Sequence, residues 1–409
     1  MNKSKKEVLA RISPSLEEKK KLNDIAEAML SKIKIKNALP TLGGSVAKNT
    51  WLKGNHDIDI YVKFDPKYYE GKDISKILKQ SLKNIKKKDK VHGSRDYFQI
   101  MQETYTIELV PILDIKKVSQ AINITDVSPF HVKWVKKHKS LCDEMRLTKA
   151  FCKANKIYGA ESYIKGFSGY VLEILTVYYE SFNKLIKAVS KWDSNLIIDI
   201  EKHYKEKNII KELNQSKTKS PLILIDPVQK ERNASAGLSK EKFKLFKELA
   251  KAYLKNPSPI FFIKKEITIN NIKELANGKQ LILIEATPLK GKKDVVGAKL
   301  LKCFEHFSKH LKLNNFILID QGWDWTETAL FYFILDKKKL PQKKKHYGPP
   351  KNSTSLNDFK NKWKNYNLKF EKNISYIIMD RNYRDAKSFM KDFIKKDYIK
   401  ERVKSIKLI

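Results

Sequence analysis

Two aspartates stand two residues apart in Asp57-Ile58-Asp59-Ile60, opening the stretch DIDIYVKF (57–64). They follow a Gly44-Ser45 pair after a gap of eleven residues, within LGGSVAKNTWLKGNH. Carboxylates at i and i+2 of an extended chain share one face, so Asp57 and Asp59 can hold hard, oxygen-liking cations together. Glycine lets the backbone approach a phosphate closely, and free amides with the Ser45 hydroxyl can cradle it. A pair of Mg²⁺ ions on such carboxylates activates a hydroxyl nucleophile and neutralises a departing pyrophosphate. A lone D-x-D is usually a solvated strand face and a lone GGS a turn. A turn, a fixed gap and then an acid-bearing strand point to phosphoryl transfer.

The elements that must position these groups follow from periodicity. Residues 5–36 keep helical spacing through Val8, Leu9, Ile12, Ile25, Met29 and Leu30, until Pro40 and Gly43–Gly44 break it. DIDIYVKF alternates, placing Ile58, Ile60, Val62 and Phe64 on one face of a strand. Ile74–Ile85 reads as a helix, and Tyr97–Gln102 and Tyr105–Leu113 as strands turning near Glu103–Thr104. From Pro129 the pattern is helical, over Pro129–Lys139, Glu144–Asn155, Gly169–Ile186 and, after a break at Ser220–Pro227, Leu238–Leu254. Strands return at Ile260–Ile263, Gln280–Ala286, Phe316–Ile319 and Ala329–Leu335, around an amphipathic helix at Ala298–Leu311. Residues 337–355, KKKLPQKKKHYGPPKNSTS, read as a basic loop.

Composition narrows the partners. At 409 residues the chain exceeds one ordinary core, and 41% apolar with 32% charged residues excludes a disordered chain, a collagen-like repeat or a small disulfide scaffold. Lys and Arg number 84 against 46 Asp and Glu, a net +38 that costs folding energy by self-repulsion and suits a polyanionic partner. Nearly all of it is lysine; arginine stands only at 11, 95, 146, 232, 381, 384 and 402. Lysine attracts phosphate diffusely, whereas arginine recognises planar partners. Cys142, Cys152 and Cys303 form no CxxC pair, so neither disulfides nor a cysteine zinc site is expected, and a reducing cytoplasm fits. The first residues lack the apolar core of a signal peptide, and apolar runs such as 222–225 are too short to span a bilayer. No membrane partner is expected.

The Gly-Ser, eleven-residue gap and Asp-x-Asp resemble the nucleotidyltransferase superfamily of DNA polymerase beta. More narrowly, GSVAKNTWLKG with DIDIYVKF is similar to the archaeal-type, or class I, CCA-adding enzymes, which finish or repair the 3′ CCA of tRNA. The likeness continues through SPFHVKWV (128–135), EMRLTKAFCKANKIYGAESYIKGFSGYVLEIL (144–175) and LILIDPVQKERNASAGLS (222–239), and fades to general layout in the last third. It implies a multidomain α+β chain: a nucleotidyltransferase head at 1–127, a helical neck at 128–256 and an α/β body and tail at 257–409. It also implies Mg²⁺ as cofactor, CTP and ATP as substrates, and the 3′ end and acceptor arm of tRNA as partner. A third carboxylate is required on a neighbouring strand. Glu108 stands three residues before Pro111, where the family places its acid, usually Asp, and is preferred to Asp114, which lies beyond the proline. The resemblance assigns triphosphate contacts to Gly44, Ser45, Lys48, His131, Lys149 and Tyr158, with Arg232 reading the incoming base. Lysines 337–339 and 343–345, with Tyr347, Trp363 and Tyr366, suit an RNA backbone and a stacked base. Two other readings stay open: a poly(A) polymerase or oligoadenylate-synthase relative, and a non-catalytic RNA-binding protein on the same fold. The oligomeric state is also open, a homodimer among the options.

Overall fold

Pro14 cannot continue a helix, so the N-terminal segment, read from the sequence as one helix, is two. Helix α1 spans Lys3–Ile12 and α2 spans Leu16–Lys32, the latter opened by a capping box between Ser15 and Glu18. The computed structural model describes residues 3–54, 56–85, 87–204, 209–214, 218–264 and 267–409. The chain divides into two units, Met1–Lys265 and Glu266–Ile409.

The first unit begins with a five-stranded sheet ordered β1-β2-β5-β4-β3. Its strands are β1 (Ala38–Leu42), β2 (Asp57–Phe64), β3 (Asp89–Val91), β4 (Tyr97–Gln102) and β5 (Tyr105–Leu113). All neighbours are antiparallel except β2 and β5, which run parallel. The alternation of DIDIYVKF is realised: Ile58, Ile60, Val62 and Phe64 are fully buried in one core with Leu22, Ile25 and Met29 of α2. The β4–β5 hairpin turns at Glu103, whose φ is 54°. Helices α3 (Gly44–Ala47), α4 (Pro66–Tyr69) and α5 (Ile74–Ser81) link these strands, α5 ending four residues before the expected Ile85.

A second core in this unit is built by α6 (Ser128–Lys137), α7 (Cys142–Ala154), α8 (Gly169–Tyr178) and α9 (Phe182–Val189) with helix Lys240–Lys255. The single helix expected over Gly169–Ile186 is divided at Glu180, with φ 62°, and Ser181, which caps α9. The expected break at Ser220–Pro227 is a strand. LILID forms β7 (Leu222–Asp226), buried throughout, between β6 (Leu196–Ile198) and β8 (Gln229–Asn233). A short apolar run bounded by turns suits a buried strand, and here partners on both sides complete it. Ile260–Ile263 is not a strand; Pro259–Phe262 is a 3₁₀ turn.

The second unit stacks helix Lys293–Leu313 on a sheet of β9 (Gln280–Pro288), β10 (Leu318–Trp325), β11 (Ala329–Leu335) and β15 (Val403–Leu408), ordered β10-β11-β9-β15. Strand β10 begins two residues later than the expected Phe316 and runs on to Trp325. The expected basic loop is in part a strand. β12 (Lys343–Pro350) pairs with β14 (Ile374–Asp380), which pairs with β13 (Lys369–Glu371). Among the described residues no helix is long and apolar enough to cross a membrane.

Candidate active site

Parallel pairing of β2 with β5 sets Asp59 opposite Glu108 and Asp57 opposite Thr106, bringing the three acids to one end of the sheet. Glu108 accepts a hydrogen bond from Gln99 Nε2 at 2.7 Å, its antiparallel partner on β4. Burial pushes the Asp59 carboxyl up to about 6, and the neighbouring charges of Glu108 and Asp57 add to the rise while Lys48 opposes it. Burial also raises Glu108. Crowded, partly desolvated acids of this kind repel one another until a cation joins them. Asp114 stands elsewhere: it follows β5, donates its N–H to Phe64 O at 2.8 Å and lies 3.7 Å from Lys63 Nζ. Six residues of strand separate it from Glu108, about 20 Å.

The Gly-Ser turn lies directly over these acids. Gly43 N–H donates to Asp59 O at 2.8 Å, and Gly44 has φ +56°. A Cβ on Gly44 would fall 1.6 Å from Asp59 Oδ2, so no other residue fits that backbone against that carboxylate. Ser45 follows in α3, and its carbonyl accepts from Thr50 N–H at 3.0 Å.

The remaining residues singled out by the sequence gather on two buried carboxylates. Lys48 Nζ donates to Glu173 Oε2 and Lys149 Nζ to Glu173 Oε1, both at 2.7 Å. Lys149 also donates to Thr50 Oγ1 at 2.8 Å and Thr50 O at 3.2 Å. Burial would raise Glu173, yet Lys149 and Lys48 hold it well below its ordinary value, while burial lowers Lys149. Tyr158 is packed behind this group: a Cβ on Gly169 would lie 2.8 Å from its hydroxyl and 3.6 Å from Lys149 Cε. The second carboxylate is Asp226, wholly buried at the end of β7. It accepts from His131 Nε2 at 3.0 Å, Arg232 Nη1 at 2.6 Å and Tyr170 OH at 3.2 Å. Burial pushes Asp226 up, but His131 and Arg232 bring it below the usual range. Tyr170 bridges the clusters, its ring 4.1 Å from that of His131 and 5.6 Å from Lys48 Nζ.

Glu173 and Asp226 were not put forward as site residues from sequence. Their signal was present: each is a single acid in an apolar run, GYVLEILTV and LILID. Ionised groups in such runs are costly unless paired, so an isolated acid there announces buried cations.

A Gly-Ser turn pressed onto acids of adjacent parallel strands, in a mixed five-stranded sheet, defines the class: a nucleotidyltransferase. The family model for a nucleotidyltransferase domain matches residues 22–131, and that for the second domain of tRNA nucleotidyltransferase matches 143–263. A CCA-adding enzyme of Nanoarchaeum equitans is 40% identical over 312 residues, covering 76% of each chain. That of Saccharolobus shibatae is 32% identical, covering 86% of this chain and 83% of its own. A Methanosarcina barkeri CCA-adding enzyme is also 32% identical, covering 84% and 77%. Among solved structures, a cytoplasmic RNA terminal U-transferase superposes with a TM-score of 0.52 over 64% of this chain and 98% of its own, at 13% identity, a likeness of fold alone. The chain belongs to the family of CCA-adding enzymes, the tRNA nucleotidyltransferases.

Proposed function

We propose that this protein completes the 3′ end of tRNA by adding C, C and A from CTP and ATP without a template, and that Asp57, Asp59 and Glu108 are the groups on which the reaction runs. The observation that carries the assignment of residues is the register: Asp59 faces Glu108 across parallel strands, under a turn position where the Asp59 carboxylate leaves room only for glycine. In each addition the tRNA 3′ oxygen forms a bond to the α-phosphorus, and the bond to the β-phosphate oxygen breaks to release pyrophosphate.

The donor set suits Mg²⁺, which takes one or two protein carboxylates and fills its shell with phosphate and water oxygens rather than a closed protein cage. Asp57, Asp59 and Glu108 would hold the cations. When bound, such ions ease deprotonation of the attacking hydroxyl and neutralise charge on the pyrophosphate. The protein's own groups bind and orient. Gly44 and Ser45 leave backbone open to the triphosphate, Lys48 stands between the acids and Glu173, and His131, Lys149 and Tyr158 line the helical side. Arg232, pinned by Asp226, presents a planar donor toward the base. Residues 1–127, 128–256 and 257–409 serve in this reading as head, neck, and tRNA-holding body and tail. The protein works in the cytoplasm, which accords with three buried cysteines that form no disulfide.

The test supplies tRNA transcripts lacking CCA, CA or A with each labelled nucleotide and Mg²⁺, and sequences the products. Two C additions that stop, followed by one A, are expected; a run of A would point instead to a poly(A) polymerase.

A further inference from the structure

Glu173 is a wholly enclosed acid beside the proposed site. Its residue is 0% exposed in α8, where Val171, Leu172, Ile174, Leu175 and Val177 are buried with it. A carboxylate so placed needs strong partners, and it has three: Lys48 Nζ at 2.7 Å, Lys149 Nζ at 2.7 Å and Thr50 Oγ1 at 2.6 Å. These come from different parts of the chain. Lys48 and Thr50 sit in the segment joining the Gly-Ser turn to the acid-bearing strand, and Lys149 belongs to α7. Arg146, one turn earlier in α7, grips the same segment, donating to Trp51 O at 3.2 Å and Asn49 O at 2.7 Å. Asn49 has φ 54°, a conformation such bonds can hold in place.

The charges do not cancel. One carboxylate serves two ammonium groups, so the cluster carries a surplus positive charge next to Asp59, on which Lys48 acts electrostatically. An ammonium has three donors. Those of Lys149 meet Glu173 Oε1, Thr50 Oγ1 and Thr50 O, whereas Lys48 has one bond to Glu173 and stands 5.6 Å from the Tyr170 ring. Two lysines that share an anchor cannot wander independently.

We propose that Glu173 is a positioning residue for nucleotide binding: it aims Lys48 and Lys149 together, tying the turn-to-strand segment to α7 and α8 so that their shared surplus charge meets the triphosphate. This rests on the reading that both lysines face the nucleotide. It predicts an effect on both nucleotides alike and none on tRNA, since Glu173 touches neither base nor RNA surface.

The test compares the full-length protein with Glu173→Gln and Glu173→Asp, measuring KM for CTP and ATP, kcat, tRNA Kd, the pH dependence of nucleotide binding, and thermal melting. Folded Glu173→Gln is expected to raise both nucleotide KM values about tenfold, with tRNA Kd within about twofold of wild type. The pH profile separates aim from mere support. Lys149 faces Glu173 from α8, Lys48 from the preceding segment and Lys153 on its own helix; burial already brings it to about 8, and Glu173 is the partner that opposes the fall. Without that charge, nucleotide affinity should fade from a lower pH as pH rises. Glu173→Asp keeps the charge but shortens the reach, so its KM should rise less and its alkaline limb stay in place. Unchanged KM in folded Glu173→Gln overturns the proposal; if that variant does not fold, unchanged KM in Glu173→Asp does so. Wild-type protein that adds no nucleotide to tRNA would sink the underlying reading instead, a result the wild-type arm gives independently.

Discussion

The sheet and the helices hold charge in opposite ways. On the sheet, Asp59 and Glu108 stand across adjacent strands with Asp57 nearby, acid against acid, and burial with mutual repulsion lifts Asp59 to about 6. On the helical side, Lys48 and Lys149 share Glu173 while His131 and Arg232 share Asp226, so each cation is already tethered. The contrast is between negative charges gathered against one another and positive charges held by fixed partners. Acids that repel one another favour an arriving metal, and cations fixed in advance lose little freedom when a triphosphate arrives.

The strongest way to break this contrast is to remove an acid. Asp57→Ala or Asp59→Ala should cut nucleotide addition by roughly a thousandfold or more, since metal stabilisation of phosphoryl transfer is worth several kcal/mol. Affinity for tRNA should change little, because it comes from lysines spread over a long surface. Substantial turnover at saturating Mg²⁺ in either variant would remove these side chains from the chemistry.

Next comes the choice of third acid. Glu108→Gln should lower kcat by about a hundredfold or more, whereas Asp114→Asn, beside Lys63 at the far end of the strand, should stay within about threefold of wild type. The reverse ranking would place the working carboxylate at Asp114.

A smaller effect lies in pH. Addition should rise with pH on the acid side, as loss of the Asp59 proton frees a carboxylate able to hold metal. The sign for stability is opposite. A carboxyl raised from 3.8 to about 6 in the folded state stabilises the fold below its ordinary value, and this is lost as pH rises through about 6. Melting of metal-free protein should therefore show stability falling across that window, and Asp59→Asn should flatten the fall. A melting temperature equally steep in the variant would assign the slope to other groups.

Much of the acid-bearing sheet was legible because a strand writes its geometry into sequence with a period of two. Asp57, Asp59 and the buried Ile58, Ile60 and Val62 follow directly from alternation. Glu108 needed the register of a parallel pair 49 residues apart in the chain, which no local pattern states, and the family's proline supplied the alignment. The cations were legible as residue types from the resemblance, but their anchors were not. What Lys149 does depends on Thr50 and Glu173, which only the tertiary fold brings together. The same limit hid β12 in a lysine-rich stretch, where pairing with β14 overrides weak strand propensity.

The smallest expected effects concern the lysines of the second unit, and there the strand changes what should be mutated. Alternation along β12 puts Lys343, Lys345 and Tyr347 on an exposed side and leaves Lys344 and His346 half-buried. Lys345 lies 4.8 Å over the Tyr376 ring and 2.7 Å from Glu371, so its exposed face combines charge with aromatic surface, as a nucleic-acid backbone and a stacked base require. If this face holds tRNA, Lys343→Gln with Lys345→Gln should weaken binding to all tRNAs alike and flatten the dependence of log K on log salt by about 0.7–0.9 per lost phosphate contact. Lys344→Gln should do less. Neither change should alter the choice between CTP and ATP, since contacts to phosphate carry no base information. Arg232→Lys is the complementary case: charge survives near Asp226, the planar fork does not, and addition should lose rate or fidelity by about tenfold while tRNA affinity holds. A Lys343/Lys345 double variant with an unaltered salt slope would make this face an ordinary solvated surface. The tRNA contact would then have to be sought elsewhere among the lysines.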